Sequence, residues 1–156
     1  MRIVQRAEVH VPRPIEEVFD FSVACETFPR VLLPLGPIAG VAKAEMIDAP
    51  APRTGARRRV HMTDGSAIEE VLVAFDRPTR HRYRWLNRPA PPFSWLVRGG
   101  EGDWTFTPSN GGTSIVWVYS FDLTTPLAYP FAAPIGLLFR RWMMRGLFRI
   151  RAALAA

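Results

Sequence analysis

The stretch Val9-His10-Val11-Pro12-Arg13-Pro14-Ile15-Glu16-Glu17-Val18-Phe19-Asp20-Phe21 changes its period in the middle. Upstream, from Arg2 to Val11, polar and apolar residues alternate and put Ile3, Gln5, Ala7, Val9 and Val11 on one side, the pattern of a strand. Pro12 and Pro14 end it, because proline has no N–H to give to a sheet. From Ile15 the spacing is helical. Ile15, Val18, Phe19 and Ser22 share one side of a short helix that starts directly after a proline, with Glu16 and Glu17 in the first turn, where the helix dipole favours carboxylates.

Further on, a second short turn over about Glu26 to Leu33 precedes Pro34 and Pro37. Strand-like segments then follow at close spacing: Ile38 to Ile47, Arg57 to Thr63, Ala67 to Phe75, Arg80 to Asn87, Trp95 to Thr107 and Thr113 to Leu123. Asp64-Gly65 marks a hairpin. Closed as a two-residue loop, it sets Arg58, Val60, Met62, Glu69, Val71, Val73 and Phe75 on the buried face. Asn110-Gly111-Gly112 marks another and sets Phe106 opposite Ile115 and Trp104 opposite Trp117. From about Pro130 to Leu154 the period is helical again, with Phe139, Met143, Leu147, Ile150 and Leu154 as an apolar stripe and Arg141, Arg145 and Arg149 on another face. The sum is an α+β architecture in which one long helix is the main cover of an antiparallel sheet, with room for a cavity between them. All 156 residues are expected to form one domain.

Composition narrows the function classes. Nearly half the residues are hydrophobic and 22% are charged, too apolar for a disordered chain and too interrupted by charge for a membrane bundle. The net charge of +6 comes from a cation set of 19 arginines and the single lysine Lys43, a bias that GC-rich coding produces, and no basic cluster carries a nucleic-acid-binding motif. No nucleic-acid partner is expected. Cys25 stands alone, which excludes an intrachain disulfide and a thiolate zinc cage, and a reducing, cytoplasmic setting is expected. The uncharged run Leu123 to Phe139 is short for a bilayer span and is broken by Pro126, Pro130 and Pro134, so it reads as the approach to the last helix.

The strand-to-helix opening quoted above resembles that of the START/Bet v 1-like (SRPBCC) superfamily. Phe75-Asp76-Arg77-Pro78 before an aromatic strand, Gly112-Thr113 opening a long strand, and Pro134-Ile135-Gly136 leading to an Arg-rich helix are similar to its polyketide cyclase/dehydrase and lipid-transport branch. The resemblance covers nearly the whole chain and rests on the order of elements. It implies a helix-grip fold, in which a seven-stranded antiparallel sheet wraps around the C-terminal helix and encloses a pocket for hydrophobic small molecules. It implies no single activity.

The residues that would carry chemistry are few. GxSxG, P-loop, GxGxxG, HExxH and paired CxxC motifs are absent, and neither metal nor cofactor is expected. Gly99-Gly100-Glu101-Gly102 reads as a bulge or bend in a long strand. His10 and His61 fall on outward positions, whereas His81 shares a face with Tyr83 and Trp85. Glu69 falls on the apolar face with Arg58 diagonally across, either as an ion pair at the sheet edge or as a polar anchor in the pocket, and His81 is expected nearer the pocket's opposite end. A one-residue slip in register exchanges Glu69 for Glu70. Tyr83, Trp85, Trp104, Phe106, Trp117, Tyr119 and Phe121 form an inner aromatic set.

The expected ligand-binding residues are therefore Arg58, Glu69, His81, Tyr83, Trp85, Trp104, Trp117 and Tyr119. The expected function is binding or carriage of a hydrophobic small molecule: a lipid, an isoprenoid or a polyketide-like compound. An aromatase/cyclase that uses Arg58, Glu69, His81 or Tyr83 is the alternative. A third reading is a module that meets an anionic membrane or a partner through Arg140, Arg141, Arg145, Arg149 and Arg151.

Overall fold

The computed structural model describes residues 1–155. Strand β1 (Arg2–Val11) leads into helix α1 (Ile15–Val23), a 3-10 turn (Cys25–Thr27) and helix α2 (Phe28–Val31). A meander follows: β2 (Val41–Met46), β3 (Arg57–Met62), β4 (Ala67–Asp76), β5 (Arg80–Trp85), the single turn α3 (Phe93–Leu96), β6 (Val97–Ser109) and β7 (Gly112–Leu123). A second 3-10 turn (Pro126–Ala128) feeds α4 (Tyr129–Ala155). The seven strands form one antiparallel sheet in the order β1-β7-β6-β5-β4-β3-β2, so the first strand closes against the last.

The alternation of β1 buries Ile3, Ala7, Val9 and Val11, and α1 buries Val18, Phe19 and Ser22, as the change of period requires. On α4, Trp142, Met143, Gly146, Leu147 and Ile150 face the sheet. Among the described residues no helix is long and apolar enough to cross a membrane.

The β6–β7 hairpin has the expected register, with Trp104 opposite Trp117 and Phe106 opposite Ile115. The β3–β4 hairpin does not. Met62 N–H donates to Ser66 C=O, and Asp64 Oδ1 accepts from both the N–H and the Oγ of Ser66. Thr63, Asp64 and Gly65 thus make a three-residue loop, with Gly65 at φ 88 in the left-handed position that follows a type I turn. The extra residue shifts β4 by one, so Arg58 faces Glu70 and Arg59 faces Glu69. Ile68, Glu70 and Leu72 therefore point inward in place of Glu69, Val71 and Val73. An irregularity between Leu72 and Ala74 then returns Phe75 to the inner side, where it meets Phe19 and His81 edge to face.

Two glycines of β6 make room for the aromatic side chains of β5. A Cβ on Gly100 would stand 2.7 Å from the Trp85 ring, and one on Gly102 would run into the Tyr83 ring. Gly102→Ala is expected to cost roughly 1–3 kcal/mol through overpacking against a ring that neighbours hold in place. A urea midpoint unchanged by that substitution would contradict the packing.

Candidate functional site

At the β3–β4–β5 end of the sheet a buried charge organises its neighbours. Arg58 is 1% exposed. Its Nε and one terminal nitrogen both donate to Glu70 Oε1, at 3.0 and 2.7 Å, and its other terminal nitrogen lies 3.1 Å from His81 Nε2. The Phe28 and Tyr83 rings flank the guanidinium, each with its centroid 4.9 Å from the central carbon. Arginine only donates, so His81 Nε2 must accept. The imidazole is therefore neutral, and its proton sits on Nδ1, which is buried and has no hydrogen-bond partner among the described residues. Burial and the Arg58 charge hold the His81 pKa well below its ordinary value. Burial pushes Glu70 up against the opposing pull of Arg58.

Glu69, expected on this inner face, instead pairs with Arg59 at 2.7 Å on the partly exposed side of the hairpin, and Glu70 takes its place. His81 does turn inward, but it stands against Arg58, behind the cavity wall, and not at the far end of the pocket. His10 and His61 point outward, to Ser109 C=O and Glu45 respectively.

Beyond Arg58 lies a cavity of about 170 Å³ between sheet and α4. Tyr83, Trp85, Trp104, Trp117 and Tyr119 all line it, joined by Glu70, Phe28, Phe139 and Trp142, and the lining reaches exposed Asp64 at the β3–β4 hairpin tip. The rings form one connected layer. Trp104 stacks on Trp117 at 4.3 Å, Tyr119 stacks on Phe121 at 4.9 Å, and Phe139 of α4 meets Tyr119 and Trp142 at 5.0 and 4.9 Å. Phe106 belongs to the inner set but packs on Phe19, away from the cavity.

The polar groups on this wall are mostly donors. Tyr83 accepts the Trp104 indole N–H at 3.3 Å and Tyr119 accepts that of Trp85 at 2.7 Å, which leaves each phenol proton to be donated. Burial raises both phenol pKa values, so both hydroxyls stay protonated. Among the described residues the buried Trp142 indole N–H has no partner, and the buried Trp117 N–H lies beside the Tyr83 hydroxyl without a well-aligned hydrogen bond. Leaving such a group unpaired costs about 1–3 kcal/mol. The carboxylate acceptors are Glu70, whose two hydrogen bonds both fall on Oε1, and Asp64 at the hairpin tip.

Sequence reasoning missed Phe28 and Trp142 and reached Glu70 only as the outcome of a one-residue slip. Asp64 followed by Ser66 was the available signal for a longer loop, since an Asp side chain caps the N–H two residues on. Trp142 lies three residues after Phe139, on the same helical side.

Glu70→Ala leaves a buried guanidinium without its hydrogen-bonded partner and is expected to destabilise by roughly 3–5 kcal/mol, whereas Glu69→Ala, which breaks a half-exposed pair, is expected to cost at most about 1 kcal/mol. Equal losses in chemical denaturation would contradict the register. His81 also makes stability depend on pH. Unfolded, it takes its proton near 6.5; folded, it takes it well below, so its contribution is full above that pH and is lost as pH falls toward the folded value. Glu70 acts with the opposite sign, its contribution being present below 4.5 and lost as pH rises through its folded value. Comparison with His81→Gln isolates the histidine: the stability gap between wild type and variant should widen from about pH 5 to pH 7. A gap independent of pH would show that His81 titrates normally.

Comparison with known proteins places this geometry. Ara h 8.0201 superposes with a TM-score of 0.72 at 15% identity, covering 99% of each chain. The protein TTHA0849 from Thermus thermophilus gives 0.68 at 22% identity, covering 98% of this chain and 97% of that one. The di-domain ARO/CYC BexL from the BE-7585A biosynthetic pathway gives 0.73 at 19% identity, with 99% of this chain matched to 50% of that protein. These identities establish the fold alone. No protein of curated function matches the sequence significantly. The sequence pattern of one family runs from residue 2 to residue 155, and the chain belongs to that family, polyketide cyclase / dehydrase and lipid transport.

Proposed function

We propose that the cavity binds a neutral, largely apolar small molecule that carries at least one hydrogen-bonding oxygen, as a lipid alcohol, an isoprenoid or a polyketide-like compound does. The observation that carries this reading is the cavity wall itself, a connected layer of aromatic rings that includes Tyr83 and Tyr119, whose hydroxyls each accept an indole N–H and so have a proton left to donate. A carbonyl or hydroxyl oxygen can accept one of those protons, and the aromatic layer supplies apolar contact.

Charge selects against anions. Arg58 is the one cation lining the cavity among the described residues, and Glu70, His81, Phe28 and Tyr83 already surround it. A carboxylate ligand would enter an apolar site beside Glu70 with no free counter-charge. The cavity's size points the same way as its aromatic wall: empty and dry, 170 Å³ would cost on the order of 4 kcal/mol.

A second reading, a cyclase or dehydratase acting in the same cavity, is favoured by Glu70. Burial raises its carboxyl, the direction a proton acceptor working near neutrality needs. His81 does not serve that role, because Arg58 occupies its only basic nitrogen. The likeness to BexL is compatible with either reading.

Calorimetric titration with 2-naphthol and 2-naphthoate near pH 7.5 separates the possibilities. The phenol is expected to bind at least tenfold more tightly than the carboxylate, which differs from it chiefly by a full negative charge. A tighter carboxylate would overturn the neutral-ligand reading. Failure of both probes, with no compound released on denaturing freshly purified protein for mass spectrometry, would overturn ligand binding itself. Recovery of a compound that the protein then converts would favour the enzyme.

A further inference from the structure

We propose that the outer face of α4, together with the α3 turn, is a docking surface for an anionic lipid bilayer. It is a separate surface from the cavity, built of side chains that folding leaves uncovered. Trp95 of α3 is 72% exposed, Leu127 81%, Phe131 68% and Leu137 63%. These are large apolar groups, and they are grouped. Thr124 holds α3 in place, its Oγ1 donating to Trp95 C=O at 2.8 Å and its N–H to Leu96 C=O at 2.9 Å, so Trp95 sits beside the turn that carries Leu127 and leads into α4. Along α4, Leu137, Arg141, Arg145 and Phe148 recur at helical spacing on the side opposite buried Met143, Gly146 and Ile150, and exposed Phe131 stands in the helix's first turn.

The charges decide the occupant. From Leu123 to Ala156 the sequence contains five arginines and no aspartate or glutamate. None of those five arginines is in a salt bridge among the described residues; Arg140 and Arg149 donate to backbone carbonyls, and Arg141 and Arg145 project from the exposed stripe. Exposed arginines interleaved with Leu, Phe and Trp make the surface of a helix that lies in a bilayer interface, its apolar groups among acyl chains and its cations at anionic headgroups. A second copy of this chain suits the face poorly, because a symmetric contact would bring the same unpaired arginines together on a protein of net charge +6. A nucleic-acid backbone would meet the arginines but leave Leu127, Phe131 and Leu137 without apolar partners. The placement has a use. The opposite face of the same helix lines the cavity with Ile135, Gly136 and Phe139, so docking puts a cavity wall one helix thickness from the membrane.

The test is co-sedimentation of the full chain with vesicles of phosphatidylcholine containing about one-third phosphatidylglycerol, against pure phosphatidylcholine. Binding is expected to the anionic vesicles only, and to fall steeply as ionic strength rises to about 0.5 M, where screening reaches within a few Å. Arg141→Gln with Arg145→Gln should weaken partitioning about twenty-five-fold, from roughly fivefold per arginine near an anionic surface. Brominated lipid should quench the fluorescence of Trp95, and Leu127→Ser with Phe131→Ser, which keeps that reporter, should abolish the quenching, with the circular dichroism spectrum and 2-naphthol affinity unchanged. Any of three results would overturn the proposal: no sedimentation with anionic vesicles at low salt, binding indifferent to both double variants, or a dimer in analytical ultracentrifugation that the apolar double variant dissociates. An oligonucleotide that binds through Arg141 and Arg145 and leaves vesicles unbound would also do so.

Discussion

A guanidinium that folding removes from water sets the terms for the rest of the interior. Burying an isolated charge costs far more than one domain's net stability, so Arg58 is tolerable only because every part of it is answered. Glu70 supplies the counter-charge, His81 an acceptor, and Phe28 and Tyr83 flank it with aromatic rings. These partners come from β4, β5 and α2, so one side chain on β3 ties the far end of the sheet to the short helices that follow β1. The arrangement also consumes the charge. What lines the cavity beyond it is aromatic, with the Glu70 carboxylate and the protonated Tyr83 and Tyr119 phenols among its few polar groups.

That economy explains why the wall is aromatic. Indoles and phenols bring large apolar area and one polar tip each, so they line a dry cavity while still offering hydrogen bonds at chosen points. Their rings need space in a sheet whose strands lie close together, and β6 provides it by omitting side chains at Gly100 and Gly102, where the Trp85 and Tyr83 rings lie. The long helix completes the enclosure with Phe139 and Trp142. Because α4 is the main cover on that side, its outer face meets whatever lies outside, and there its sequence is cationic and apolar at once.

Most of this architecture is legible in the sequence because periodicity is a local property. The alternation of β1, the helical spacing after Pro14 and the stripe on α4 each follow from neighbours a few residues apart. The Asn110-Gly111-Gly112 hairpin is equally legible, since its closure places Trp104 on Trp117 without further information. Asp64-Gly65 looks the same and is not, because the side-chain bond from Asp64 to Ser66 lengthens the loop by one residue and turns the other of two adjacent glutamates inward. Arg58 keeps its inward place through that shift, as the alternation of β3 alone fixes it. The return of Phe75 depends on an irregularity in β4 that no residue type announces. The contact between His81 and Arg58 spans three strands, and nothing local encodes it.

If Arg58 is spent inside the protein, the Tyr83 and Tyr119 hydroxyl protons are what the cavity offers a ligand. Proton–nitrogen NMR of the side chains, followed as 2-naphthol is added, tests this most directly. The Trp104 and Trp85 Nε1–H resonances, whose protons go to the Tyr83 and Tyr119 hydroxyls, are expected to move downfield as those hydroxyls donate to the ligand, while the Arg58 Nε–H signal stays protected and unmoved. A shift of the Arg58 signal with the two indole resonances unchanged would contradict it, for the guanidinium would then be the group that meets the ligand.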